Sequence, residues 1–184
     1  MSETAKRFPH RNATGWFLKY AQNLGIDIGC GNDPITLECE KWDISLGNTD
    51  AMFMAGVPDN HFDYVHSYHC LEHLNDPVTA IRNWYRILKP GGWLIVGVPH
   101  RDLYEKSTLL PSRWNGDHKT FWLPVHDELP FTLGLLDTMM KALGPIQLQS
   151  LVVHDAGCTN TDKPMEHAMG EYTIEIILRK PNMG

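Results

Sequence analysis

Residues 68–77 read YHCLEHLNDP, and that stretch admits two chemistries. His69, Glu72 and His73 set two imidazoles at i and i+4 with a carboxylate between them, a spacing that presents zinc ligands on one face of a helix. The same side chains at a strand's end would border a bound organic ligand instead. Upstream, IDIGCGND carries Asp27 followed by Gly29-Cys30-Gly31. Two glycines let the backbone approach a ligand closely and take positive φ. A lone G-x-G is weak on its own, and the third glycine of a dinucleotide fingerprint is replaced by Pro34. Asp27 is more telling, because a carboxylate inside an apolar strand needs backbone N–H donors or a cation around it. Asp43 in KWDIS could accept both hydroxyls of a ribose from the tip of a strand, or stand as a solvated loop aspartate. Asp50-Ala51-Met52 offers an acid and an apolar pair suited to the edge and face of an adenine, or a simple turn.

These residues need elements to position them. NLGIDIG (23–29) is short, rich in isoleucine and closed by glycine, as a buried parallel strand is. CEKWDIS (39–45) and HFDYVHSY (61–68) read as the second and third strands. A helix then starts at Asp76, a good N-cap, with Pro77 in the first helical position. Val78, Ile81, Trp84, Tyr85 and Leu88 share one face, and Pro90-Gly91-Gly92 ends it. WLIVGVP (93–99), apolar throughout, belongs at the centre of a sheet. Residues 100–131 have no steady period and contain three prolines, which predicts a long functional excursion. A helix over 131–145 and strands over 146–155 and 171–180 complete an α/β pattern, with an antiparallel pair at one edge. The helix start at Asp76-Pro77 settles the reading of the opening motif. Any helix holding both His69 and His73 would be too short, since a residue before proline is pushed out of α geometry. The expectation is therefore no metal, with Glu72 and His73 as a hydrogen-bonded pair in a loop or first turn and His69 alone near a ligand.

At 184 residues the chain is expected to form one domain. A net charge of −6 with no local Lys/Arg cluster gives no electrostatic reason to expect nucleic acid. No apolar run reaches the roughly 18 residues of a membrane span, and MSETAKRFPHRNATG lacks a signal-peptide core. The four cysteines have no C-x-x-C or framework spacing, so reduced thiols and a cytoplasmic setting are expected.

The segments IDIGCG, DNHFDYVHSYHCLEHLNDP and RILKPGGWLIVGVP, in this order and spacing, resemble the signatures of class I S-adenosylmethionine-dependent methyltransferases, specifically the methyltransferase type 11 group. The resemblance is close over residues 24–99 and beyond them follows element order only. It implies a Rossmann-like, seven-stranded, mostly parallel sheet with an antiparallel last strand. It also implies S-adenosyl-L-methionine as cofactor. Asp27, Gly29, Cys30 and Gly31 would lie around its methionine part, Asp43 on the ribose, and Asp50 and Ala51 at the adenine. Ser67, Tyr68 and His69 would line the floor near the methyl group. One departure stands out: 11 residues separate Gly31 from Asp43, and NDPITLECEKW has no helical period. The first crossover helix is expected to be absent or reduced to about a turn, which leaves Glu38 and Glu40 as alternative ribose acids.

A hydroxyl acceptor would call for a base, and histidine titrates nearest neutral pH. His100, directly after the central strand, and His118 in NGDHKTF are the two candidates; either could also be a loop histidine bonded to backbone. Residues 100–131, with Tyr104, Trp114 and Trp122 among planar hydrogen-bonding groups, are expected to form an insertion or lid over the acceptor, a polar small molecule such as a sugar or nucleotide-sugar. A homodimer is left open. The alternative is a non-catalytic nucleoside-binding or regulatory module on the same scaffold.

Overall fold

The computed structural model describes residues 2–47 and 50–182. Its principal sheet has six strands in the order β2-β1-β3-β4-β8-β7. These are β1 (Gly25–Ile28), β2 (Glu40–Trp42), β3 (Phe62–Tyr68), β4 (Leu88–Pro99), β7 (Gln147–His154) and β8 (Thr173–Arg179). β2, β1, β3 and β4 run parallel, and β8 runs antiparallel to both β4 and β7. The Rossmann-like α/β arrangement and the antiparallel last strand are as expected. The strand count differs, with six in place of seven among the described residues. The chain between β2 and β3 carries a 3-10 turn at Ile44–Leu46, the positive-φ glycines Gly47 and Gly56, and Pro58, and its one apolar run, residues 51–57, is folded into turns that bury Met54 in the core. β5 (Phe121–Leu123) and β6 (Thr132–Gly134) form a separate two-stranded sheet.

Helix α3 (Pro77–Ile87) forms as its sequence predicts. The Asp76 side chain accepts the Thr79 N–H at 3.1 Å, Pro77 opens the first turn, and Ala80, Ile81, Trp84 and Ile87 are buried. It ends earlier than expected, because Leu88 already belongs to β4. Gly91 and Gly92 serve strand pairing instead. Gly91 N–H donates to Lys180 O, and a Cβ on Gly92 would lie 2.7 Å from Asp63 O. Helix α4 (Leu135–Leu143) starts four residues later than its pattern suggests, because Thr132–Gly134 is drawn into β6.

No helix joins β1 to β2, so the expected loss of that crossover holds. Its face of the sheet is covered from the other direction by α1 (Glu3–Ala13) and α2 (Trp16–Tyr20), which have no counterpart in the sequence expectations. Trp16 and Tyr20 pack there with Ile35, Tyr64, Ile95 and Ile177. α1 is held by charge: Arg7 reaches Glu171 at 2.8 Å and Arg11 reaches Glu175 at 2.7 Å. Tyr68 also donates its hydroxyl to Glu175, and His154 Nε2 lies 3.5 Å from the other oxygen. Burial alone would raise the Glu175 pKa, yet His154, Arg11 and Tyr68 together hold it well below the ordinary value.

Candidate functional site

Strand ends β1, β2 and β3 open onto a cleft of about 400 Å³, within the range of small-molecule sites. It lies outside the carboxyl ends of parallel strands, where ligands of open α/β sheets bind. One wall carries Asp43, Ile44, Asp50 and Ala51; the opposite side carries His69, Cys70, His73 and Leu74.

Gly29 lines the cleft with φ +77°, and a Cβ there would sit 2.4 Å from Cys70 Cβ. Its N–H donates to Trp42 O at 2.7 Å, so the glycine turn is fastened to β2. Gly31 has φ +53° and faces open space where a side chain would project. Its N–H donates to Asp43 Oδ2 at 2.8 Å, while Asp43 Oδ1 accepts from Ser45 N–H and Oγ–H. Burial pushes the Asp43 carboxyl up, but the Ser45 and Gly31 donors outweigh it and hold the group below its ordinary value. Asp43 is therefore ionised at neutral pH. Asp50 Oδ1 accepts from the N–H groups of Met52 and Phe53, at 2.9 and 3.0 Å. Ala51 offers its carbonyl to Trp84 Nε1, which fixes the apolar wall to α3.

Other residues named from sequence lie away from this cleft. Asp27 is buried in the sheet, where its carboxylate accepts Ile35 N–H at 2.6 Å and pairs with His66 Nδ1 at 2.7 Å. The donors that its burial demands are thus supplied by the protein, and the bond to Ile35 shapes the turn that follows β1. Cys30 is half-buried, and burial pushes its thiol up to about 11. Ser67 is buried and donates to Ile28 O. Tyr68 lies on the α1 side of β3, stacked on His66 and beneath the Arg11 guanidinium. His100 bridges to Trp122, and its Nδ1 accepts Asp102 N–H at 3.1 Å; burial lowers its pKa.

His118 is buried with Nδ1 against Glu105. Its Nε2 lies 3.9 Å from Glu72 Oε1, behind His73, which lines the cleft. His69 holds φ +53° and bonds Thr173 Oγ1 through Nε2 at 2.8 Å. Burial, with His118, Lys6 and His73 nearby, lowers its pKa to about 3. His73 is lowered too, by burial first and then by His118, so both are neutral at pH 7. Burial, with Glu105 and Glu3 adding, pushes Glu72 up to about 8. Trp42, Cys70, Leu74 and Asp117 also line the cleft and were not singled out from sequence. Asp117 is brought there by the excursion after β4, a pairing that no local pattern announces.

A family model described as a methyltransferase domain matches residues 4–145. The chain is 34% identical over 86 residues to the demethylmenaquinone methyltransferase of Listeria monocytogenes, covering 47% of this chain and 33% of that protein. The chain's matches span a third or less of the length of such curated relatives, from 15% to 33% in the first three. Among solved structures, an S-adenosylmethionine-dependent methyltransferase from Archaeoglobus fulgidus superposes with a TM-score of 0.57 at 16% identity, over 97% of this chain and 95% of that one. The [4+2]-cyclase SpnF gives 0.58 at 16%, over 94% and 81%. At such identities the structures establish the fold alone. The matched family model establishes the family: the chain belongs to the methyltransferase domain family, and its fold is that of S-adenosylmethionine-dependent methyltransferases. Among the described residues no helix is long and apolar enough to cross a membrane.

Proposed function

We propose that this protein transfers a methyl group from S-adenosylmethionine to a hydroxyl of a small polar acceptor such as a sugar or nucleotide-sugar. The observation that carries this reading is the Asp43–Gly31 contact at the cleft: an ionised carboxylate at the end of β2, tied to a positive-φ glycine with open space before it. The residues fit the cofactor. Asp43 would take the ribose hydroxyls, Ile44, Ala51 and Leu74 the adenine faces with Asp50 at its edge, and Gly29 and Gly31 the methionine part. Asp27 serves as a positioning residue through Ile35 N–H. When bound, the cofactor supplies a methyl group already activated on a cationic sulfur, and transfer to a hydroxyl yields a methyl ether, a thioether and a proton.

The chain's remaining tasks are to hold the acceptor in line, exclude water and dispose of that proton. Residues 100–131 act as the lid. They bring Asp117 to the cleft and His118 behind His73 at its wall, whereas His100 stays turned into its own loop. His118, rather than His100, therefore serves the deprotonation, from within its cluster with Glu72 and His73. The four cysteines stand unpaired, which supports a cytoplasmic setting. We carry a single domain forward, with a homodimer as the alternative to a monomer, to be read by light scattering.

A nucleoside-binding module without transfer is the rival, motivated by the missing helix between β1 and β2; a fold does not by itself fix an activity. Tritium transfer from labelled cofactor to a panel of sugars and nucleotide-sugars separates the two. Label in an acceptor supports methyl transfer. Calorimetric cofactor binding with no label in any acceptor supports the module.

A further inference from the structure

Glu72 is the anomaly of the cleft. Its side chain is fully buried, and neither carboxylate oxygen has a hydrogen-bond partner among the described residues. Such a group is costly unless something else meets it. What surrounds it is a set of ring nitrogens: Oε1 lies 3.8 Å from His69 Nδ1, 4.0 Å from His73 Nε2 and 3.9 Å from His118 Nε2. The far nitrogen of each ring is held in turn. His73 Nδ1 meets Asp117 Oδ2 at 3.0 Å, His118 Nδ1 meets Glu105, and His69 Nε2 meets Thr173 Oγ1 at 2.8 Å. Glu105 is itself bonded by Ser112 Oγ. A carboxylate on Nδ1 fixes the proton there and leaves a lone pair on Nε2. For His73 and His118 that lone pair faces Glu72 across 4.0 and 3.9 Å, too far for a hydrogen bond, so the gap is open to a cation in place of the carboxyl proton. A carboxylate on the far nitrogen is the outer-shell pattern that orients metal-bound histidines.

We propose that Glu72, His73 and His118 bind one divalent first-row transition cation whose open positions face the cleft. The Glu72, His73 and His118 ligand atoms lie within 4.8 Å of one another. Bonds of roughly 2.0–2.1 Å in a tetrahedron place ligands about 3.3–3.4 Å apart. The observed 3.9 and 4.0 Å from Glu72 therefore ask for an inward shift of about half an ångström, and the two imidazoles for up to about 1.5 Å between them. Two imidazoles and a carboxylate favour zinc, cobalt, iron or manganese over magnesium or calcium, which prefer oxygen. The helix objection to a metal at H-x-x-E-H does not apply: a single 3-10 turn, Leu71–His73, presents the pair, and the excursion after β4 delivers the third ligand. The role of the ion rests on the function proposed above. Held beside the cleft, it would take the acceptor's hydroxyl oxygen and lower its pKa, so that the proton leaves to water and His118 acts through the ion as its ligand, in place of the free base proposed above.

The test is metal binding itself. Chelator-stripped protein is titrated by calorimetry with zinc, cobalt, manganese or magnesium ions alone, and the cobalt form is read by its visible ligand-field absorption. One equivalent of zinc and of cobalt should bind, with magnesium far weaker. Glu72→Gln should weaken binding at least about 100-fold, and Glu105→Gln, one shell out, by about 10- to 100-fold. His73→Ala, at a partly exposed ring, provides the same readout should Glu72→Gln fail to fold, with cofactor affinity and circular dichroism as folding controls. Absence of stoichiometric binding by all four ions, or equal affinity in the variants and the parent protein, overturns the site. Metal binding that the variants abolish, alongside no methyl transfer to any hydroxyl, leaves the site standing and refutes the function. Full transfer activity in stripped protein under chelator overturns the ion's catalytic role.

Discussion

Asp43→Asn tests the cofactor assignment at one atom. The native carboxylate uses Oδ2 for Gly31 N–H at 2.8 Å and Oδ1 for Ser45. Asparagine has the same shape but one acceptor oxygen, so its amide nitrogen must point at one of these donors. The substitution also removes the negative charge that ribose hydroxyls would meet. One hydrogen bond to a charged group contributes about 1.5–3 kcal/mol. The side chain is partly solvated, so the lower end applies, about 1.5–2 kcal/mol, or roughly 10- to 30-fold in Kd. Calorimetry with S-adenosylmethionine measures this directly, with thermal melts showing that the variant folds. Glu38→Gln and Glu40→Gln, at the two exposed alternatives, should leave affinity within about twofold. The reasoning is refuted if Asp43→Asn binds like the parent protein while either glutamate variant weakens binding.

Three further outcomes follow from the same geometry. Glu175→Gln leaves the Arg11 guanidinium buried beside a neutral partner and should cost about 3–5 kcal/mol in urea unfolding at pH 7. Because the native Glu175 pKa lies below its ordinary 4.5, its contribution is full above that value and fades as pH falls through the native one, so the gap between parent and variant should narrow on acidification; a constant gap contradicts the pairing. Gly29→Ala combines positive φ with the 2.4 Å contact to Cys70 and should destabilise by about 2–5 kcal/mol. Gly31→Ala, facing open space, should cost only about 1 kcal/mol; equal melting points for the two variants would contradict the packing described for Gly29. His118→Ala should lower kcat by about 10²–10⁴-fold with cofactor affinity unchanged, whereas His100→Ala should leave kcat within a few fold; the reverse order in steady-state assays would restore His100 to the chemistry.

The sheet was legible because its strands are written locally. GIDI, FDYVHSY and WLIVGVP are apolar or alternating runs bounded by turn residues, and Asp76-Pro77 announces α3. α1 escaped because the residues it buries, Arg7 and Arg11, are charged; a search for an apolar stripe passes over a helix whose inner face is satisfied by glutamates 164 positions away. Of the site, Gly29, Asp43, Asp50, Ala51 and His69 do line one cleft. Neither Tyr68 nor Ser67 lines that cleft: Tyr68 belongs to the α1 side of β3 with His66, and Ser67, on the other side, is buried against Ile28 O. The pairing of Glu72 with His118 spans a loop of irregular period, so no local spacing could reveal it.

The central claim is that the cleft at the ends of β1, β2 and β3 holds the cofactor, and a crystal structure with S-adenosylhomocysteine tests it most directly. The account predicts ribose hydroxyls on the Asp43 carboxylate, adenine beside Ala51 and Leu74, and the sulfur toward His69. Density for the nucleoside elsewhere, or bound there with Asp43 still committed to Gly31 and Ser45 alone, would contradict it.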